Sequence, residues 1–327
     1  MKSPSKNQDG GASAPLVFDL ETHKFLEHGP KIPRIVCLSA GGRLFIGDQI
    51  REAAAAIVAH PGDVVGQNVA FDFGCIAAAF PDLLPGIFGL YERGQVRDTR
   101  IREQLIAIAM GTFDRRRFSL ADLVKNYQGI TIGGKTGDVW RLKYHQLDGV
   151  LDLDDWPAAA KQYALDDVRY TREVFEAQER LSLSTDAGRM VMPLKDEADQ
   201  TRAAWALHLI GIFGMKIDQE KAAAWIAEVE ADAAKAFQIA TAAGFMRTNG
   251  TKDLSVLRGM IDQAYKGKAP RTEKGSIKTD TDTLKNSGHP ILLAYSESKA
   301  AEKLASTYAP ILKNGPTVHP NYQVLVK

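Results

Sequence analysis

The stretch PLVFDLET, residues 15–22, decides how the first half of the chain is read. It is a short apolar run carrying two acids, and it reads as a buried β-strand. Asp19 and Glu21 stand two apart, so on a strand both side chains point to one face. Two carboxylates side by side on an apolar strand repel each other and cost desolvation energy. Something cationic should compensate, and a divalent metal with oxygen ligands is the usual answer. The competing reading is an exposed strand end with both acids solvated.

Outward from this strand, PRIVCLSA (33–40) and GRLFIGD (42–48) read as strands joined by a tight turn at Gly41-Gly42. REAAAAIVAH (51–60) is a helix stopped by Pro61-Gly62, DVVGQN (63–68) a strand, and FDFGCIAAAF (71–80) a helix. QVRDTRIREQLIAIAM (95–110) begins as a strand and continues as a helix. SLADLVKNY (119–127) is a helix that Ser119 can cap, and the run from Trp156 to Leu181 is a long helix with Pro157 near its first turn. This alternation implies an α/β domain with a mixed sheet. From Met192 onward long Ala-rich helices dominate, so the boundary is placed near Met192-Pro193. The expected organisation is a disordered tail over 1–14, an α/β domain over 15–192 and a helical region over 193–327.

The chain has 327 residues and a formal net charge of +1, with 45% hydrophobic and 25% charged residues. The length suits two domains, and the composition excludes wholesale disorder and a histone-like cation. Cys37 and Cys75 lie in apolar runs and read as buried free thiols, too few for a disulfide framework. No run approaches the roughly 20 apolar residues of a membrane span, and the polar start is unlike a signal peptide. A soluble cytoplasmic protein, of a bacterium or a phage-infected cell, and no membrane partner are expected.

Two further acids complete a pattern. Asp72, in GQNVAFDFG, opens a helix just after a strand, where α/β sheets place their sites; a plain helix cap is the alternative. Asp167, in YALDDVRYT, shares a helix face with Tyr163, four residues earlier; the alternative is a solvated face with Asp166 and Arg169. In order, VFDLET, then Gln67, Asn68, Phe71 and Asp72, then Tyr163 with Asp167 resemble the 3′–5′ exonucleases of the DEDD type with a tyrosine. These include the proofreading domain of family A DNA polymerases and the ribonuclease D group. The DTR triplet Asp98, Thr99 and Arg100 and the run Leu151 to Thr171 are also similar to that family. The similarity covers about residues 15–180.

The resemblance implies a ribonuclease H-like mixed-sheet exonuclease domain. It implies that Asp19, Glu21, Asp72 and Asp167 bind two divalent ions, magnesium or manganese, and that Tyr163 orients the attacking water. Two ions roughly 3.5–4 Å apart suit an in-line displacement at a phosphodiester. The phenol's ordinary pKa, near ~10, makes Tyr163 a positioning group and not a strong base. Leu20, Thr22, Gln67 and Asn68 flank the motifs and are expected at the terminal nucleotide. His23, His28 and His60 read as surface or loop residues.

GITIGGKT (129–136) matches a phosphate-loop pattern letter for letter. Such a loop needs a strand before it and a helix after it. Here a helix precedes and no helical period follows, so the nucleotide-hydrolase reading is rejected; Lys135 near a DNA phosphate is the residual expectation.

In the second half, Trp205 and Trp225 read as core. Residues 247–278 hold eight Lys/Arg against three Asp/Glu, an excess that could grip duplex phosphates or simply solubilise a loop. The segments Leu207 to Asp218, Pro270 to Leu284 and Ser296 to Tyr308 resemble the thumb of family A DNA polymerases. By that resemblance an all-helical thumb domain is expected, with Lys299, Lys303, Ser306 and Thr307 as phosphate contacts. The palm and fingers of that family are absent, so this chain alone is not expected to polymerise DNA. The expected function is a metal-dependent 3′–5′ DNA exonuclease, a proofreading part of a family A polymerase. Its partners are single-stranded DNA 3′ ends and primer–template DNA. The alternatives are a ribonuclease D-like enzyme on RNA ends, and a DNA-gripping subunit completed by a separate palm-fingers chain.

Overall fold

The computed structural model describes residues 13–24, 32–113, 118–132, 140–183, 194, 196–247, 249–320 and 322. Residues 1–12 of the expected tail, His28, Lys135 and the Met192-Pro193 boundary lie outside the described residues. The chain forms two compact units, residues 1–214 with 319–327, and residues 215–318.

The first unit is built on a five-stranded sheet of β1 (Leu16–Thr22), β2 (Ile35–Ala40), β3 (Arg43–Ile46), β4 (Val64–Gly66) and β5 (Val96–Asp98), ordered β3-β2-β1-β4-β5. The β1–β2 and β2–β3 pairs are antiparallel, whereas the β1–β4 and β4–β5 pairs are parallel. This mixed order is the expected ribonuclease H-like arrangement. Gly41 and Gly42 both have positive φ, +57° and +77°, which is what a two-residue hairpin turn between β2 and β3 requires.

Helices cover both faces. They are α1 (Gln49–Val58), α2 (Val69–Ala79), α3 (Leu84–Glu92), α4 (Thr99–Ala109), α5 (Leu120–Gln128), α6 (Ala158–Leu183) and α7 (Glu197–Phe213). The period of two in β1 sorts its side chains. Phe18 and Leu20 pack in the core with Phe73 of α2, whereas Val17 packs with Val65 and with Val168 and Phe175 of α6. Ser119 caps α5 reciprocally with Asp122, Ser119 N–H donating to Asp122 Oδ2 at 3.1 Å.

The change in composition near residue 192 does not coincide with the division between units. Trp205 of α7 is 1% exposed and stacks on Tyr91 of α3 at 5.3 Å, so α7 completes the core of the first unit. Sequence periodicity could not reveal this, because an Ala-rich helix fits either neighbour. Cys37 and Cys75 are buried free thiols.

The second unit consists of α8 (Gln219–Ala242), α9 (Leu254–Ala264), α10 (Thr281–Lys285), α11 (Pro290–Lys303), a π-helical turn at Leu304–Tyr308, and α12 (Ala309–Leu312). Ala236 and Ala240 let α8 approach closely, and Phe245 meets Tyr295 edge-on at 5.0 Å in its core. It is not wholly helical: β6 (Met215–Lys216) and β7 (Thr317–Val318) form a short antiparallel ladder. Strands of two residues are too short to leave a periodic signal. No helix among the described residues is long and apolar enough to cross a membrane.

Candidate nuclease site

The site forms at the carboxyl end of β1. Asp19 and Glu21 occupy the same strand face as Val17, the face that packs on α6. Asp167 lies one turn before Thr171 on that helix. One carboxylate oxygen from each of Asp19, Glu21 and Asp167 can be chosen so that all three lie within 4.8 Å of one another. Register shifts between Glu21 and Thr22 in the β1–β2 ladder, so the strand turns away just past the second acid. Glu21 is 7% exposed, which excludes the solvated strand end.

Asp72 enters from the other side of the sheet. It sits in the first turn of α2 and is 3% exposed. It is not the helix cap: Asn68 holds that position in the left-handed region at φ +64°. The main-chain N–H of Leu20 stabilises the Asp72 carboxylate, and Asp19 and Asp98 oppose its charge. Asp72 therefore couples to Asp19 and Glu21, although it lies outside the tightest group of acids.

The electrostatics describe a cluster short of positive charge. Burial, and then Asp167, push the Asp19 carboxyl well above the usual range. Glu21 is raised by burial, then by Asp19 and Asp167. Burial raises Asp167 to about 6, against the opposing effects of Arg141 and of a hydrogen bond from the Tyr163 hydroxyl. Burial and then Asp167 push the Tyr163 phenol upward, so it stays protonated and donates. A divalent cation would relieve every one of these repulsions, and a set of carboxylate oxygens suits a hard ion such as magnesium or manganese.

Asp98 builds the floor of the site. Its buried carboxylate accepts from Asn68 N–H (3.1 Å), Val69 N–H (2.9 Å), Arg100 N–H (2.9 Å) and Ile101 N–H (3.3 Å). One side chain thus caps α4 and fixes the turn that launches α2 and Asp72. Its apolar surroundings raise its pKa in spite of these donors.

The expected nucleotide contacts divide. Leu20 is 6% exposed and its side chain belongs to the sheet core, because its position alternates with the acids. Gln67 is held at both ends: it donates to Phe118 O at 3.0 Å and accepts from the Thr99 hydroxyl. Asn68 is exposed and accepts from Arg100 Nη1 at 3.2 Å. Thr22 donates to His23 O at 3.0 Å. His23 lies 2.9 Å from Asp148, and His60 is 3.0 Å from Ala14 O, so both are loop anchors.

In the second unit, Lys303, Ser306 and Thr307 are exposed. Lys299 is not: its ammonium donates to Thr279 O, and burial lowers its pKa. It braces the chain ahead of α10 from a half-buried position. Lys266, Lys268, Arg271, Lys274 and Lys278 are exposed, whereas Lys252 pairs with Glu302. The residue missed by the sequence reading is Arg141, on the 3-10 turn Trp140–Leu142; a lone arginine after a glycine-rich stretch carries no local signal.

A family model described as 3′–5′ exonuclease, of the type found in family A DNA polymerases, matches residues 10–181. The chain belongs to this 3′–5′ exonuclease family. Family membership makes the first unit a nuclease domain. Among solved structures, the chain is similar to the "POL domain of Pol1 from M. smegmatis complex with DNA primer-template and dNTP", with a TM-score of 0.58 and 13% identity. The likeness covers 93% of this chain and 47% of that one, so this chain spans about half the length of the neighbour. No curated protein matches the sequence. In the exonuclease domain the helix α5 precedes Gly129, so the phosphate-loop pattern follows a helix and not a strand.

Proposed function

We propose that the chain is a metal-dependent 3′–5′ DNA exonuclease that removes 3′-terminal nucleotides in the service of proofreading. The observation that carries the reading is the grouping of Asp19, Glu21 and Asp167 within 4.8 Å, with Asp72 opposing Asp19, inside a domain of the exonuclease family.

The acids fit divalent ions because they are buried, mutually repelling and poorly neutralised by protein cations. Asp19, Glu21, Asp72 and Asp167 would hold two such ions, which supply a water activated for attack and charge stabilisation at the leaving 3′ oxygen. Asp72 contributes from α2, fixed by Leu20 N–H and by the Asp98-braced turn. Tyr163 keeps its proton, donates to Asp167 in this state, and orients the attacking water once the acids hold metal. Each ligand acts deprotonated, so hydrolysis weakens as the acids take up protons.

The exposed basic residues of the second unit support a sequence-independent grip on the nucleic-acid backbone. The fold likeness to a polymerase domain, across both units, favours DNA over RNA ends. The proposed activity is hydrolysis without nucleotide incorporation by this chain alone; the comparisons offer no support for a separate palm-fingers partner.

The test is product polarity on 5′-labelled single-stranded DNA and RNA of one sequence, with magnesium or manganese. Successive one-nucleotide shortening of DNA from the 3′ end, with release of nucleoside monophosphates, is expected. Cleavage from the 5′ end, or faster shortening of RNA, contradicts the proposal.

A further inference from the structure

The 3-10 turn Trp140–Leu142 packs on α6, the helix that carries Asp167 and Tyr163. The Trp140 ring lies 6.2 Å from Tyr144, and the Tyr144 ring lies 6.2 Å from Tyr163. This aromatic row ties the turn to the helix face that carries Asp167. Arg141 follows Trp140 directly and is exposed. Its charge acts on Asp19, Glu21, Asp167 and the Tyr163 hydroxyl, and it is the basic side chain common to all four. Yet among the described residues it forms no ion pair with any of them.

An arginine placed this way has donors to spare. A guanidinium bonded to one of the acids would compete with a metal for the same oxygens. Standing off, it keeps its planar fork free for another anion, and phosphate oxygens match that fork bidentately. The anion that belongs beside these acids, on the nuclease reading above, is the 3′-terminal phosphodiester.

We propose that Arg141 donates hydrogen bonds to non-bridging oxygens of the phosphate bound at the carboxylates, holding the terminal linkage in line. The inference rests on the nuclease reading. It assigns to Arg141 a share of phosphate recognition that the carboxylates, being anionic, cannot supply. A guanidinium that served only as a counter-charge would influence metal binding and leave phosphate recognition untouched.

The test compares thymidine 5′-monophosphate with thymidine, binding to the full chain in calcium by calorimetry, for the parent, Arg141→Ala and Arg141→Lys. Manganese affinity is measured on each protein without nucleotide. A charge-assisted bond corresponds to roughly a ten- to hundredfold preference. The parent's preference for the monophosphate over the nucleoside should shrink about tenfold or more in Arg141→Ala and partly return in Arg141→Lys. An unchanged preference in Arg141→Ala overturns the proposal, whatever happens to manganese affinity. Arg141 is exposed, so the variants should melt with the parent. Single-turnover shortening of DNA by the parent separates the two ideas: if the parent shortens DNA while the preference is unchanged, Arg141 alone is misassigned. If the parent releases no mononucleotide, the nuclease reading falls and this inference with it.

Discussion

Replacing Asp98 with alanine removes four acceptor contacts at once, at distances of 2.9–3.3 Å, from a carboxylate that is 2% exposed. Two of the four donors, Arg100 N–H and Ile101 N–H, form the cap of α4, and losing a cap of this kind costs about 1 kcal/mol. The other two, Asn68 N–H and Val69 N–H, hold a turn whose Asn68 is already at φ +64°. Leaving such donors unpaired costs about 1–3 kcal/mol each. The expected loss is about 3–7 kcal/mol, a large part of an ordinary domain's stability. Asparagine keeps one carbonyl oxygen, so Asp98→Asn should lose about half as much. Urea unfolding followed by the fluorescence of buried Trp205 measures both. Because the same turn launches α2, nuclease rate per folded molecule should fall about tenfold or more in Asp98→Ala, although Asp98 is not assigned to metal. An alanine variant that unfolds within 1 kcal/mol of the parent, or that keeps the full rate, refutes the claim that Asp98 positions Asp72.

Three other outcomes are expected. Burial raises the folded-state pKa of Asp167 to about 6, so its stabilising effect is present in acid and lost as pH rises through that value. The metal-free chain should therefore lose up to about 3 kcal/mol between pH 4 and 7 from this group, and saturating magnesium should flatten the slope in thermal melts. Nuclease activity should run the opposite way, falling in acid as protons compete with metal for the carboxylates, and more magnesium should move that fall to lower pH. Tyr163→Phe should lower kcat roughly ten- to hundredfold while manganese affinity, read by calorimetry, stays close to the parent's, because the hydroxyl donates and does not ligate. Gly74→Ala would place a Cβ 2.5 Å from His208 Nε2 and 2.9 Å from Ile212 Cδ1, so it should destabilise the first unit by about 1–3 kcal/mol in urea melts.

Asp19 and Glu21 obey the strand period, Tyr163 and Asp167 the helix period, and Asp72 follows a strand end. Each local spacing left a solvated or capping alternative open; the resemblance of the motifs taken in order pointed to the site, and the structure groups Asp19, Glu21 and Asp167. The glycine hairpin and the Ser119 cap were legible from local spacing alone. What was hidden depends on contacts distant in sequence. Asp98 stood out only as part of the DTR triplet, yet it caps α4 and also binds the turn about 30 residues earlier. Leu20 sits between two site residues, and only the pleat reveals that its side chain points to the opposite face. Lys299 has the expected charge, but it is half-buried and donates to Thr279 O, twenty residues away. Arg141 has significance only through the fold that brings its turn onto α6. The place of α7 in the first unit follows from Trp205 stacking on Tyr91, a contact that no window of the sequence contains.

The most direct measurement is the rate of mononucleotide release from single-stranded DNA as magnesium is titrated, for the parent and for Asp19→Asn/Glu21→Gln. The variant removes two buried like charges, so its metal-free melting temperature should equal or exceed the parent's, which excludes unfolding as the cause of any loss. Activity that requires magnesium in the parent and drops about a thousandfold or more in this well-folded variant is expected. Release that persists in chelator, or a variant that keeps the parent's rate, would contradict a metal-dependent nuclease centred on these carboxylates.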